Sequence, residues 1–258
     1  MHENLTYKIN GCIFKVYNTL GKIWNEDVYE QALQLELQTQ GLQAERQKEF
    51  EVFYFDKRVG NYRIDIIVQD TVIIELKAVP EIIPLHQAQL ISYLKGYNKP
   101  IGILANFASN MLYHKTFPNI LAQKNALKDK FDFSKVQLKE KEKIRELLFI
   151  ANRILTTLGI GYFSQIYRRA FYYELKSSGI EFEIIKEVTA TYSEHVLSSK
   201  SVNFFIIGDL LLSVVAVQEI TKLIIAKFDN YIKHLKCKRG LIFNFNAINL
   251  NYRYLEKN

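Results

Sequence analysis

The chain has little cysteine. Cys12 and Cys237 are the two in 258 residues; they lie far apart, and no histidine stands near them at ligand spacing. That excludes a disulfide framework and a zinc site, and it suits a reducing cytoplasm. Long apolar runs are missing too. Stretches such as "VNFFIIG" and "LLLSVVAV" fall short of a membrane span and are interrupted by Gly208 and Asp209. The opening "MHENLTYKING" has no basic segment leading into an apolar core, so no secretory signal is expected. A glycine-rich phosphate loop and a Gly-x-Ser-x-Gly elbow are likewise absent, which leaves the enzyme classes built on them unsupported. The expectation is a cytoplasmic protein with no membrane association.

What is present is a globular composition, 48% hydrophobic and 13% aromatic, on a chain long enough for one large domain or two ordinary ones. Net charge is +7 and unevenly spread. Up to Leu121 there are 12 Lys and Arg against 13 Asp and Glu, whereas the remainder has 22 against 14. A basic second half suits a polyanionic partner, although a solvated charged surface gives the same count.

The sequence also repeats itself. Shifted by 138 positions, residues 16–120 align without a gap onto 154–258, with 24 identities over 105 positions. "TLG" at Thr19 falls on "TLG" at Thr157, Tyr29 on Tyr167, Gly41 on Gly179, and Asn106-Phe107 on Asn244-Phe245. A period this long means two complete domains. The expected layout is a first domain over 1–121, a basic linker over 122–146 and a second domain over 147–258. Within the first, apolar spacing predicts helices ending at Gly21 and at Gly41, the second capped near Asn25. A strand over "ERQKEFEVFYF" follows, then a hairpin, a helix opened by Pro84 and a last strand "IGILANF". The order is α-α-β-β-β-α-β, an α/β arrangement with a mixed sheet flanked by helices.

The hairpin "YRIDIIVQDTVIIELK" carries the chemistry. Two β-branched runs are separated by Gln69, Asp70 and Thr71, so Val68 should face Val72 and Asp65 should face Glu75. Glu75 and Lys77 share a face of their strand. Opposed acids repel unless a divalent cation sits between them, or unless they reach solvent or an arginine such as Arg63.

An Asp, about ten residues, then Glu-x-Lys on a hairpin before a helix resembles the PD-(D/E)xK nuclease superfamily. "EDVYEQAL" from Glu26, "YRIDIIV" from Tyr62, "VIIELKAV" from Val72 and "HQAQLISYL" from His86 narrow the resemblance to the bacterial GxxExxY family. The resemblance implies two tandem restriction-endonuclease-like domains and phosphodiester hydrolysis, of DNA rather than RNA, with Mg²⁺ or Mn²⁺. It implies Asp65 and Glu75 as metal ligands, with Glu26 and the Leu76 carbonyl beside them, and Lys77 orienting water or stabilising charge on the phosphate. Gln89 and Tyr93 would contact nucleic acid, with His86 nearby. Each has a plainer reading: Glu26 as a solvated helix acid, Gln89 and Tyr93 as a surface pair one turn apart. The family's glycine is replaced by Ile23.

In the second copy Glu26, Asp65, Glu75, Lys77 and Gln89 become Ser164, Asn203, Ser213, Val215 and Lys227, while Tyr93 stays as Tyr231. The second copy is therefore expected to be a degenerate pseudonuclease domain. It would act as a pseudo-two-fold partner within the chain, as a scaffold, or as a nucleic-acid holder through Lys233, Lys236, Lys238 and Arg239. A non-catalytic binding or scaffold protein on the same fold is the competing reading for the whole chain.

Overall fold

A computed structural model describes residues 2–120 and 141–256. They fall into two compact units, in the main the two copies of the repeat. The first copy runs α1 (His2–Leu20), α2 (Glu26–Thr39), β1 (Ala44–Tyr54), β2 (Lys57–Val68), β3 (Val72–Lys77), α3 (Pro84–Gly96), β4 (Ile101–Asn106) and β5 (Tyr113–Pro118). The second runs α4 (Lys141–Leu158), α5 (Ser164–Ser177), β6 (Glu183–Tyr192), β7 (His195–Ile207), β8 (Leu210–Val215), α6 (Lys222–His234), β9 (Arg239–Asn244) and β10 (Asn251–Glu256). The elements correspond at the 138-residue offset, within a residue or two at their ends. The mixed sheet flanked by helices is thus present twice.

Each copy holds a five-stranded sheet, ordered β1-β2-β3-β4-β5 in the first and β10-β9-β8-β7-β6 in the second. In the first copy β3 is antiparallel to β2 and parallel to β4, a crossover made through α3. β3 is buried along its whole length, as a central strand with covered faces must be. Its apolar side chains join Tyr29, Leu33 and Leu37 of α2 and Ile9, Ile13 and Val16 of α1 in one core.

The local expectations are met for physical reasons. Asn25 Oδ1 accepts the Val28 N–H (3.2 Å) and so caps α2. Beyond Gln40, Gly41 turns at φ +73, and Leu42 N–H returns to the Leu37 carbonyl at 3.0 Å. In the hairpin Val68 faces Val72, and Gln69 and Asp70 both take positive φ. That is the mirror-image turn whose twist suits two strands. Gly102 is required by packing, since a Cβ there would lie 2.6 Å from Leu90 Cδ1 of α3.

Two expectations are corrected. A further strand, β5, follows "IGILANF" and pairs antiparallel with β4. Its sequence, "YHKTFP", lacks an apolar alternation because an edge strand need bury little, and its proline is tolerated there. Helix α4 begins at Lys141, inside the stretch read as linker to 146; residues 121–140 lie outside the described ones.

Polar residues that recur in both copies fasten backbone. Tyr29 Oη donates to the Gly21 carbonyl (2.8 Å) and Tyr167 Oη to the Gly159 carbonyl (2.7 Å). Their rings stack on Phe107 and Phe245. Buried Asn106 donates to the Val79 carbonyl and accepts the Val79 and Ala108 N–H groups. Asn244 makes the same three bonds with Val217 and Asn246. Asn106→Ala should therefore lower the unfolding free energy by about 2–3 kcal/mol, because buried backbone groups lose their partners. A chemical denaturation series measures it, and a loss below about 0.5 kcal/mol would mean the clip is dispensable.

Candidate active site

Three elements of the first copy bring the predicted acids together. Asp65 comes from β2, Glu75 and Lys77 from β3, Glu26 from the first position of α2. The β2–β3 ladder pairs Val68, Ile67 and Ile66 with Val72, Ile73 and Ile74. At the next position Asp65 turns its side chain into the ladder's role, and Oδ2 accepts the Leu76 N–H at 2.7 Å. This fixes the carboxylate's direction. It also departs from simple face-to-face pairing of Asp65 with Glu75.

Glu75 is fully buried. Its Oε1 accepts a bond from Lys77 Nζ (2.6 Å), and Oε2 has no hydrogen-bond partner. Lys77 Nζ also donates to the Leu76 carbonyl (2.7 Å), the oxygen expected as a further ligand. Glu26, half-buried, stands 3.7 Å from Lys77 Nζ and accepts the Ala78 N–H at 3.3 Å. Among the described residues no three His, Cys, Asp or Glu side chains converge as a ligand cluster. The candidate donor set is thus the Asp65 and Glu75 pair with the Leu76 carbonyl, and Glu26 stands across Lys77 from them.

Electrostatics follow from the burial. Desolvation, reinforced by Asp65, pushes Glu75 up to about 8 despite Lys77. Desolvation also pushes Asp65 up to about 6, against the Leu76 N–H and Lys77. Burial pulls Lys77 down, yet Glu75, Asp65 and Glu26 outweigh it and hold the ammonium above its ordinary value. A neutral Glu75 and a strongly charged Lys77 are at odds. Burial of Glu75 decides the direction: its carboxyl holds a proton more tightly than a free one, and Lys77 at 2.6 Å limits that rise without reversing it.

The residues fit a divalent cation. A buried carboxylate oxygen with no donor costs free energy that a cation would remove, and two carboxylates with water and phosphate oxygens suit Mg²⁺.

The remaining predicted residues divide. Gln89 Nε2 donates to Tyr93 Oη (2.8 Å), so the two bond each other one turn apart on α3. Tyr93 is buried; its hydroxyl is raised by desolvation and then by Glu75. His86 Nδ1 accepts the Ile83 N–H (3.3 Å) at the start of α3; burial and then Lys77 hold it below its usual value. In the second copy Lys233 pairs with Asp229 and Arg239 with Asp209. Lys238 is exposed, and Lys236 ends the turn after α6 at φ 56.

Sequence reasoning missed Glu30 and Arg46. Glu30, one helical turn beyond Glu26, is buried and bonded to Arg46 (3.0 Å), which also holds Asp27 at 2.6 Å. Its i, i+4 spacing from Glu26 was the available signal. A cavity of about 500 Å³ lies apart from these acids, at Gly41, Glu45 and Asp70.

A profile of the PD-(D/E)XK nuclease superfamily matches residues 3–117 and again 141–255. The chain belongs to that superfamily. The two matched ranges stand in the 138-residue register of the repeat, so the tandem arrangement is a property of the family match as well as of the fold. PD-(D/E)XK proteins are usually nucleases that use divalent metals, and their substrates are nucleic acids. No curated protein matches the chain. The crystal structure of SSO0001 matches at 23% identity over 36% of this chain and 48% of that one, with a TM-score of 0.29. The chain thus matches about half the length of that protein. Among the described residues no helix is long and apolar enough to cross a membrane.

A pH signature follows for this superfamily member. Glu75's folded value, about 8, lies above its ordinary 4.5, so between them the folded state holds more protons than the unfolded one. Stability without metal should fall as pH rises through that window. Cation binding needs ionised carboxylates, so the Mg²⁺-induced rise in melting temperature should be larger at about pH 8 than at about pH 6. Glu75→Gln should abolish the Mg²⁺ effect at both. Equal shifts at the two pH values, or a shift that survives Glu75→Gln, would place the cation elsewhere.

Proposed function

We propose that the first copy is a metal-dependent nuclease of the GxxExxY branch, hydrolysing phosphodiester bonds in DNA. The second copy is a degenerate domain that serves packing or nucleic-acid holding. The observation that carries this is the fully buried Glu75 carboxylate, with its donorless Oε2, beside an Asp65 held in place by the Leu76 N–H. Hydrophobic burial would neutralise or expel such a pair unless the position serves something charged. The Glu26 and Tyr29 spacing supports the branch, with Ile23 in place of its glycine.

The residues divide the work. Asp65 and Glu75 would hold the cation, and the Leu76 carbonyl, bonded here to Lys77 Nζ, would be the further oxygen beside them. The chemistry such a cation supplies when bound is polarisation of a phosphoryl oxygen and a lowered pKa for a bound water. Lys77, kept protonated by its acid neighbours, offers a positive N–H donor where the phosphate gains negative charge. Glu26 accepts the Ala78 N–H and steadies the end of β3, where Lys77 projects. Gln89 and Tyr93 can exchange their mutual bond for bonds to a nucleic-acid strand.

Purified protein should cleave DNA with Mg²⁺ or Mn²⁺ and not in EDTA. Asp65→Ala/Glu75→Ala, checked for folding, should lose cleavage and metal response together. Lys77→Met should lose about 10²–10³-fold in turnover while keeping the Mg²⁺ thermal shift. Cleavage surviving the double variant would refute the assignment. DNA binding without cleavage by the wild type would favour a non-catalytic binding protein.

A further inference from the structure

At the second copy's equivalent of the acid cluster the charge is reversed. Moving 138 positions along, Asp27 becomes Gln165, Glu30 becomes Arg168, Gln31 becomes Arg169 and Asp65 becomes Asn203. Arg46, the first copy's counter-ion, becomes Ile184, and with Ser164, Ser213 and Val215 no acid is left. Gln165, Arg168, Arg169 and Asn203 line one cavity of about 260 Å³, together with Tyr172 and Ile184.

Arg168 is the unusual member. It is half-buried, and among the described residues no acid pairs with it. Other half-buried arginines are paired: Arg46 with Asp27 and Glu30, Arg239 with Asp209. Burial and then the neighbouring Arg169 press Arg168 below its usual value, so the guanidinium sits at a cost that nothing on this copy relieves. Arg169 spends one N–H on a backbone carbonyl (3.0 Å). A half-buried, uncompensated Arg168, with an exposed Arg169 beside it on the same cavity, lacks an anion.

We propose that this cavity is an anion site that takes a phosphate of a nucleic-acid strand directly, without a metal. Guanidinium groups present planar donor forks that match phosphate oxygens. Gln165 and Asn203 add amide donors without adding negative charge. The volume is below that of ordinary small-molecule sites, which suits a phosphate and not a whole nucleotide. The first copy's acids would repel the same group unless a cation bridged it. The two copies thus reach one chemistry, phosphate, by opposite means. The residues that line the anion site all belong to the second copy, and only its assignment to nucleic acid rests on the nuclease reading.

The test uses the full wild-type chain in EDTA, where no metal bridges the first copy. Fluorescence anisotropy with single-stranded oligonucleotides bearing a 5′-hydroxyl or a 5′-phosphate is followed over a salt series, and inorganic phosphate is titrated by thermal shift. Arg168→Gln should weaken oligonucleotide binding about tenfold and flatten the salt slope by about 0.7. Asn203→Asp, which restores the first copy's acid inside the cavity, should weaken it comparably. Ser198→Asp, adding the same charge at an exposed position on β7, should change it less than about twofold. Equal affinity for both oligonucleotides assigns the site to an internal phosphodiester, and a preference for the 5′-phosphate assigns it to a strand end. Arg168→Gln and Asn203→Asp no weaker than Ser198→Asp would overturn the proposal. A phosphate-induced shift lost in Arg168→Gln, with no oligonucleotide bound, would overturn the nucleic-acid assignment. Arg168-dependent binding by a wild type that never cleaves with Mg²⁺ would sink the reading of the first copy and leave this one standing.

Discussion

Glu75 has no water, one cationic neighbour and one oxygen without a donor, on a strand that must lie in the middle of a sheet. Around that constraint the other groups are arranged. β3 is covered by helices on account of its apolar residues, so any acid it carries is desolvated whether or not that helps folding. Lys77, two residues on, points to the same face and takes Oε1. Asp65 stays near because its own oxygen substitutes for the next rung of the ladder. Remove the sheet and none of these charges would meet; remove the charges and the sheet would remain.

The second copy carries out that subtraction. It keeps Tyr167 and Asn244, which do for its backbone what Tyr29 and Asn106 do for the first, and it keeps the glycine on which a helix rests, Gly240 for Gly102. These residues satisfy backbone N–H and C=O groups at the ends of helices and strands, a need set by the fold and so present in both halves. Glu75 and Lys77 become Ser213 and Val215 while β8 still runs antiparallel to β7 and parallel to β9, as β3 does to β2 and β4, with the β7–β8 register one residue away from that of β2–β3. The recurring polar groups belong to architecture.

Much of this was legible in the sequence. A gapless 138-residue shift fixes the order of elements twice over, and alternation with a mirror-image turn fixes the register Val68 to Val72. The acids were conspicuous because they break apolar runs. What could not be read has a common cause: it depends on side chains that meet across elements. Asp65's bond to the Leu76 N–H is a break in a ladder that sequence alone would continue. Arg46 reaches Glu30 from another element, and a buried Asn106 is indistinguishable in sequence from a loop asparagine. Strand β5 escaped because this edge strand buries little and its sequence does not alternate, and Gln89 and Tyr93, read as contacts for a ligand, first contact each other.

The cost of the two arrangements also differs in kind. Replacing a buried ion pair by small or apolar residues is often neutral or stabilising, since desolvation of two charges is seldom fully repaid. On that ground β8, with Ser213 and Val215, should be the easier strand to fold, and β3 the one that carries a burden. A chain that doubles a domain can distribute such burdens: one copy carries the buried acids while the other meets no such cost at the matching strand. Yet the second copy is not merely relaxed. Arg168 reintroduces an uncompensated charge at the very position where the first copy has Glu30, on a helix otherwise superposable in sequence register. A domain drifting toward a plain scaffold would be expected to shed buried charge, and this one changed its sign.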